Sequence, residues 1–255
     1  MYKTRNLPRS ARRDACQSKN TRIDVADALR GIAVAGIILY HSVEHFNIFT
    51  QEPIVHPLAS DQTVADVLAW LLSGKMYGLF AMLFGLSFFI MNDNQQQKGK
   101  SFSGRYAWRM CLLFMFGIIN VAFYDGDILM LYACYGLLLI PISYLSSRWV
   151  WAIIILLAIQ PVELFCLLTG EGVRRVLRHL CIFGRMSLTN YLLQSIIGCF
   201  IFCGYGLACY RLLGITYAVM VGCCMVIAQY LFARYWFSNH PRGPLEGLWR
   251  KLTWI

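Results

Sequence analysis

Long apolar runs recur along the chain from residue 28 to residue 237, and they leave no room between them for a water-soluble domain. Hydrophobic residues make up 58% of the sequence and charged residues 14%, and the mean hydropathy is +0.54. A soluble domain is roughly 45–50% apolar and about 25% charged. The excess apolar surface therefore needs a lipid bilayer as its solvent, and the bilayer is the first partner that the sequence predicts.

The runs predict an all-α fold, a polytopic transmembrane helical bundle of about seven spans. Helices are expected because a bilayer cannot satisfy backbone polar groups and because the runs lack the alternation of a barrel strand. The predicted spans cover residues 28–48, 67–91, 107–123, 127–145, 149–168, 188–210 and 212–234. The chain then divides into a basic N-terminal segment (1–27), a group of transmembrane helices (28–168), a basic connector (169–187) and a C-terminal two-helix region with its tail (188–255).

Lysine and arginine cluster in short segments between the apolar runs, as the positive-inside rule expects of cytoplasmic loops. The net charge of +10 therefore reflects topology and not nucleic-acid binding, which would gather basic residues on one face. The basic segment 1–27 predicts a cytoplasmic N-terminus. The first run is long enough to act as a retained signal-anchor.

The charge rule and the number of spans disagree after the fifth run. Alternation sends the segment after residue 168 out of the cell, yet it carries Arg174, Arg175, Arg178 and Arg185, and the C-terminal tail is also basic. Two cytoplasmic termini require an even number of spans, whereas seven runs are present. Either the fifth run is re-entrant, or an odd number of spans is missing from the chain.

Five short stretches, spread over nearly the whole chain, share the motifs of one family of bacterial membrane proteins. They are DALRGIAV at 27–34, LFGLSF at 83–88, YDGDIL at 124–129, GRMSLTNYLLQS at 184–195 and GPLE at 243–246. The chain resembles the YeiB-type family in these stretches, a family catalogued as domain of unknown function 418. Members of that family are usually longer and carry extra spans before the GRMS motif, so the chain is interpreted as a shortened member.

The resemblance implies a multi-pass protein of the bacterial cytoplasmic (inner) membrane, related to transmembrane acyltransferases. It implies transfer of an acyl group to a small-molecule or glycan acceptor outside the cytoplasm, with acyl-CoA as the co-substrate and no firmly indicated cofactor. Missing spans in the middle of the chain would also explain the parity conflict. A permease for a small solute or ion is the alternative function, and an inert, internally deleted family member is a third.

Three ionisable residues end the first predicted span and share one helix face, since His41, Glu44 and His45 stand at i, i+3 and i+4. Asp125 and Asp127 follow at the same outer level of the membrane. Ionisable groups in spans are costly and tend to mark function. We interpret His41 or His45 as a general base toward an acceptor hydroxyl, with Glu44 or Asp125 fixing its tautomer. The alternative is that these groups cap the helix end in interfacial water.

The stretch from His41 to His45 also matches the H-x-x-E-H pattern of inverzincin proteases, in which two histidines hold zinc and the glutamate is the base. The sequence offers no third ligand, so we predict no metal site. The ten cysteines form no CxxC pair, and they indicate neither a zinc site nor a disulfide framework.

Five further polar residues are candidates for substrate or donor binding. Arg30 and Arg185 can hold a phosphate or carboxylate, such as part of an acyl-CoA, although basic residues at these positions also serve as topological anchors. Lys75 lies inside the second run, where it either pairs with the outer carboxylates or snorkels to the interface. Asn190 and Gln194 share one face of the sixth span, where they bond neighbouring helices or face a ligand.

Reporter fusions test the predicted topology. We expect a fusion after Gly170 and a fusion at Ile255 both to report a cytoplasmic location, because the arginines that follow residue 173 and the basic tail resist translocation. Alkaline phosphatase should be inactive and green fluorescent protein fluorescent at both sites. A phosphatase fusion after Ser60, in a stretch without lysine or arginine, is the active control, and a periplasmic Gly170 would contradict the missing-span explanation.

Overall fold

The computed structural model describes residues 9–46, 57–97, 102–124, 126–144 and 180–253, with side chains from Val25 onward. Within these ranges the regular structure is helical, and the prediction of an all-α fold is confirmed. The helices are α1 (Arg9–Val43), α2 (Asp61–Leu72), α3 (Lys75–Gln96), α4 (Ser103–Val121), α5 (Leu129–Ile142), α6 (Ser187–Phe202), α7 (Ile215–Asn239) and α8 (Pro244–Thr253). A further helical turn covers 180–185, and a short 3-10 helix covers Cys209–Arg211.

Three helical stretches of the described part are long and apolar enough to cross a membrane: Val25–Val43, Asp61–Gln96 and Ile215–Asn239. Helices α5 and α6 are apolar but shorter. Large apolar side chains such as Phe89, Leu138 and Met220 lie on the outer surface of the bundle, where lipid would solvate them. This pattern confirms a membrane-spanning helical bundle. The predicted run at 149–168 lies outside the described residues.

The second predicted span is two helices and not one. Ser73 and Gly74 interrupt it, and Gly74 has a φ of 68°, a left-handed conformation that glycine adopts without steric cost. Lys75 therefore begins α3 instead of lying inside a continuous helix. Its Nζ donates to the carbonyl oxygen of Trp70 at 3.0 Å and lies 4.7 Å from the centroid of that ring.

Helix α1 lies at the centre of the bundle and packs against α2, α3, α6 and α7. Its side chains Ala33, Val34, Ile37 and Ile38 are almost completely buried. Small residues on α1 allow these close approaches, as they do at other helix interfaces in membranes.

The closest approach involves Gly31 of α1 and Gly184 of the turn at 180–185. A Cβ on Gly31 would overlap the carbonyl oxygen of Leu180, and a Cβ on Gly184 would overlap that of Asp27. Two backbones are therefore in direct contact here, at the same end of the bundle as Arg30 and Arg185.

Replacement of Gly184 by alanine should destabilise the protein by about 1–3 kcal/mol, because the added methyl group meets backbone that cannot move aside cheaply. Gly78→Ala is the matched control, since a Cβ at Gly78 of α3 meets nothing within 4 Å. That change should be neutral or stabilise the helix by up to about 1 kcal/mol. Thermal unfolding of the purified variants in detergent measures both effects, and equal melting temperatures would contradict the close packing.

Candidate functional site

A cavity of about 250 Å³ lies at one end of the bundle, with arginines from three separate segments in its wall. These are Arg30 of α1, Arg109 of α4 and Arg185 of the turn at 180–185, and we name the space the basic cavity. Much of the remaining wall is apolar or aromatic: Phe80, Phe84, Met91, Met110, Leu113, Leu129 and Leu188. The cavity thus joins positive charge to an apolar interior.

Two of these arginines are the predicted donor-binding residues, and the fold brings them to the same cavity. Arg30 donates from Nη1 to Asp27 at 2.7 Å and from Nη2 to the Ser87 hydroxyl at 3.0 Å. Arg185 is exposed and donates to the carbonyl oxygen of Pro241 at 3.2 Å. Arg30 is therefore held in place from two sides, whereas Arg185 stands at the rim.

The C-terminal helix α8 forms one wall of the basic cavity through Glu246 and Trp249. Glu246 accepts hydrogen bonds from the Thr189 backbone amide at 3.0 Å and from its hydroxyl at 2.6 Å. The Arg109 guanidinium lies 4.2 Å from the centroid of the Trp249 ring, and the Trp249 indole donates to the Arg109 carbonyl at 3.4 Å. The tail motif of the sequence is therefore structural support for the cavity.

A second cavity, of about 440 Å³ and more open, lies at the opposite end of the bundle. Glu44 and Asp127 contribute carboxylates to its wall, and we name it the acidic cavity. Its other lining residues are Tyr40, Ser73, Gly74, Tyr77, Tyr124, Gly126, Ile128 and Leu131. Two of the predicted catalytic carboxylates therefore face one space, while Asp125 lies outside the described residues.

Hydrogen bonds fix both carboxylates of the acidic cavity. Glu44 accepts from the Tyr124 hydroxyl at 3.3 Å, and Asp127 accepts from the Asn120 side-chain amide at 2.8 Å and the Met130 backbone at 3.1 Å. Both groups lie beyond the ends of the spanning helices. Burial raises the pKa of each carboxyl above its ordinary value, and the hydrogen bonds oppose that rise without cancelling it.

His41 is completely buried between the two cavities. Its Nε2 lies 2.8 Å from the hydroxyl oxygen of Tyr77, and its ring centroid lies 4.5 Å from that of Tyr124 and 6.4 Å from that of Tyr191. Its Nδ1 has no hydrogen-bond partner among the described residues. Tyr77 and Tyr124 line the acidic cavity and Tyr191 lines the basic cavity, so His41 is behind the walls of both.

Three tyrosines separate the cavities, and we name Tyr77, Tyr132 and Tyr191 the tyrosine layer. The Tyr132 hydroxyl donates to the Tyr77 carbonyl at 2.8 Å, and the Tyr191 hydroxyl accepts from the Ile128 amide at 3.3 Å. Tyr132 and Tyr191 line the basic cavity, whereas Tyr77 and Ile128 line the acidic one. A single layer of side chains thus divides the interior.

His45 points away from His41, toward the connection between α6 and α7. Its Nε2 lies 2.9 Å from the carbonyl oxygen of Leu213, and its ring packs edge-on against Phe202. The two histidines of the H-x-x-E-H pattern therefore engage different partners. Over the described ranges, no group of three or more histidine, cysteine, aspartate or glutamate residues is placed to hold a metal ion.

Asn190 and Gln194 are buried in α6 and line neither cavity. Asn190 donates to the carbonyl oxygen of Phe183 at 3.1 Å. The Gln194 side-chain amide has no hydrogen-bond partner in the part of the chain that the structure describes. The fold places both amides in the packed interior of the bundle.

Sequence reasoning missed the tyrosine layer and Arg109. Tyrosine is common in this chain, with 14 copies, and nothing in the sequence singles out these three. In the sequence, Arg109 stands near the start of the predicted span 107–123, where a basic residue is also expected as a topological anchor. A signal was nevertheless present, because Tyr106 and Arg109 at i and i+3 share one face of a largely apolar helix.

The model of a family described as "Protein of unknown function (DUF418)" matches residues 94–255. The chain belongs to the DUF418 family. The resemblance to YeiB-type proteins is thereby confirmed, and YeiB of Escherichia coli (strain K12), an uncharacterized protein, is 40% identical over 80 residues, or 31% of this chain and 20% of YeiB. No solved structure matches the chain.

Two Bacillus proteins are also similar to the chain. The uncharacterized protein YxaH of Bacillus subtilis (strain 168) is 23% identical over 383 aligned positions, which cover 92% of this chain and 95% of YxaH. An uncharacterized 39.9 kDa protein in the amylase 3' region of Bacillus acidopullulyticus is 32% identical over 120 residues, or 47% of this chain and 34% of that protein. All three relatives are described as uncharacterized, so the function has to be inferred from the chemistry of the site itself.

Glu246→Ala should release α8 from the basic cavity, because the Thr189 amide and hydroxyl lose their acceptor. We expect a loss of about 1–3 kcal/mol in stability and faster hydrogen exchange over residues 244–253. Glu246→Gln, which keeps one acceptor oxygen, is the matched control and should show a smaller effect. Unchanged exchange in the alanine variant would contradict the role of Glu246 in holding the helix.

Proposed function

We propose that this DUF418 protein is a membrane acyltransferase that moves an acyl group from acyl-CoA to a small-molecule or glycan acceptor on the other side of the membrane. The observation that carries the proposal is the position of His41, buried between two cavities of opposite charge with Nε2 at 2.8 Å from the Tyr77 hydroxyl. A histidine hydrogen-bonded to a hydroxyl that faces a cavity has the geometry of a general base.

The two cavities suit two different substrates. Arginines form strong hydrogen bonds with phosphates, so the basic cavity matches the charged end of acyl-CoA. The acidic cavity carries fixed carboxylates and tyrosine hydroxyls, which match the hydroxyl groups of a sugar or polyol acceptor. In this arrangement the donor and the acceptor approach the tyrosine layer from opposite ends.

The reaction is a transfer from a thioester to an alcohol. The acceptor oxygen bonds to the thioester carbonyl carbon, its proton passes to the Tyr77 oxygen, and the Tyr77 proton passes to Nε2 of His41. The carbon–sulfur bond breaks, and the departing thiolate takes the proton from His41 to give the free thiol of CoA. Glu44, which accepts a hydrogen bond from the Tyr124 hydroxyl, orients the acceptor.

The acyl group has to pass the tyrosine layer for this reaction to occur. Tyr132 and Tyr191 lie on the donor side, and rotation of their side chains would open a path to Tyr77 and His41. Because Tyr132 and Tyr191 are only 7% and 1% exposed, the layer is a closed barrier until a substrate displaces their side chains.

The orientation in the membrane follows from charge. The basic cavity would face the cytoplasm, where acyl-CoA is made and where the positive-inside rule directs arginine-rich ends. The protein would then lie in the bacterial inner membrane with a cytoplasmic N-terminus. The alignment with YxaH extends over 383 positions, more than the 255 residues of this chain, which supports the interpretation of a shortened family member.

A permease is the second candidate, and one observation favours it. Two cavities at opposite ends, divided by the tyrosine layer, also match the closed state of a transporter that opens alternately to each side. Counterflow of a labelled solute in proteoliposomes would support the permease, whereas acyl transfer without counterflow would support the enzyme.

The acyltransferase proposal is tested with His41→Ala and Tyr77→Phe in the purified protein, supplied with radiolabelled acetyl-CoA and a mixture of membrane glycans. Both changes should lower the transfer rate by about 10²–10⁴-fold, the usual contribution of general acid–base catalysis. His240→Ala is the matched control, because His240 is an exposed histidine stacked on Trp236 at the end of α7.

Three results bear on the outcome. Loss of transfer in both site variants with normal activity in the His240 variant supports the proposal. Equal activity in the wild type and in His41→Ala contradicts it. Absence of both hydrolysis and transfer in the wild type, over a range of acyl chain lengths, also contradicts it and favours an inert or transporting protein.

A further inference from the structure

The wall of the basic cavity contains two buried polar groups that have no hydrogen-bond partner among the described residues. The Tyr106 side chain is 1% exposed and lines the cavity, and its hydroxyl has no hydrogen-bond partner within the described ranges. The Nε of Arg109 is likewise buried without a partner there. A buried donor without a partner has lost its hydrogen bonds to water and gained none in return, so two of them side by side need an explanation.

Both groups belong to one face of α4. Tyr106, Arg109, Met110 and Leu113 stand at i, i+3, i+4 and i+7, and all four line the cavity. The face therefore offers a hydroxyl and a guanidinium next to two apolar side chains. Arg109 is oriented by its stacking on Trp249, which leaves the edge of the guanidinium available for hydrogen bonds.

The charges around this face favour an anion. Arg30 and Arg185 line the same cavity, and Glu246 is the acidic residue in its wall. Both carboxylate oxygens of Glu246 accept hydrogen bonds from Thr189, and these bonds partly compensate the negative charge of Glu246. Arg30 is already paired with Asp27 at 2.7 Å, so Arg109 and Arg185 supply the positive charge that exceeds the charge of Glu246.

We infer that Tyr106 and Arg109 bind the phosphate of an amphiphilic phosphate ester whose apolar portion occupies the rest of the basic cavity. The phosphate oxygens would accept from the Tyr106 hydroxyl and from Arg109 Nε, which satisfies both buried donors. The phenylalanine, methionine and leucine side chains of the wall would surround an acyl or similar chain. The volume of about 250 Å³ holds one phosphate and a short part of the apolar portion, and the rest of the ligand would extend past Arg185 at the rim.

Two ligands share this chemistry: an acyl-CoA and an anionic phospholipid. The assignment to acyl-CoA rests on the proposed function, whereas phosphate binding does not. Binding can be measured without turnover, so the phosphate site is tested separately from the acyltransferase reaction. Phosphate binding without acyl transfer would leave this inference standing and remove the proposed function.

The experiment measures binding to the full chain in nanodiscs made of uncharged phosphatidylcholine. Palmitoyl-CoA and phosphatidylglycerol are the two amphiphilic probes, and inorganic phosphate is the minimal one. The variants are Arg109→Gln, Arg109→Lys and Tyr106→Phe. Arg211→Gln is the matched control, because Arg211 also lies over an aromatic ring, that of Tyr210, but does not line the cavity.

We expect Arg109→Gln to weaken binding of at least one amphiphilic probe by tenfold or more, with partial recovery in Arg109→Lys and no change in Arg211→Gln. Tyr106→Phe should weaken binding several-fold while leaving the melting temperature of the ligand-free protein equal or higher, since it removes a hydroxyl without a partner. A purely structural role for Tyr106 would leave probe binding unchanged and lower the melting temperature of the ligand-free protein.

The identity of the probe then decides between the two sources. If Arg109→Gln weakens the binding of palmitoyl-CoA, the site binds the acyl donor. If it weakens the binding of phosphatidylglycerol, the site binds a lipid. If none of the three probes binds, or if binding is the same in Arg109→Gln and the wild type while both remain folded, the inference is wrong.

Discussion

Helix α1 has to contact four other helices at once, and this requirement determines where the candidate site residues of α1 lie. It does so with small and β-branched residues, and Gly31 lets the turn at 180–185 approach as closely as backbone allows. Arg30 and His41 belong to this same helix, eleven residues apart, which is a rise of about 16 Å. The separation between the basic cavity and the buried histidine is therefore fixed by one rigid element.

The fold class could be predicted because it depends on the length and apolarity of each run, which can be read from the local sequence. An apolar run of sufficient length in a membrane becomes a helix, whatever its neighbours are. The break at Gly74 could not be predicted in this way, because one glycine inside an apolar run is compatible with either a continuous helix or an interruption. Its consequence for Lys75, which begins a helix and binds the Trp70 carbonyl, depends on the fold.

The candidate site was predictable only in part. The i, i+3, i+4 spacing of His41, Glu44 and His45 follows from helix geometry, yet the helix ends at Val43 and the next three residues form a turn. His45 leaves the shared face for that reason. The tyrosine layer and Arg109 come from helices distant in sequence, and nothing local predicts that Tyr77 would meet His41 across 36 residues.

The interruption between α2 and α3 also changes what the acidic cavity presents to a ligand. Ser73 and Gly74 are exposed in its wall, and at such an interruption the main chain itself lines the space. A ligand in this cavity would meet main-chain atoms of Gly74, which no side-chain replacement can remove. Alanine scanning of this wall would therefore underestimate its contribution to ligand affinity, and exchanging single peptide bonds for esters would be the more revealing chemistry.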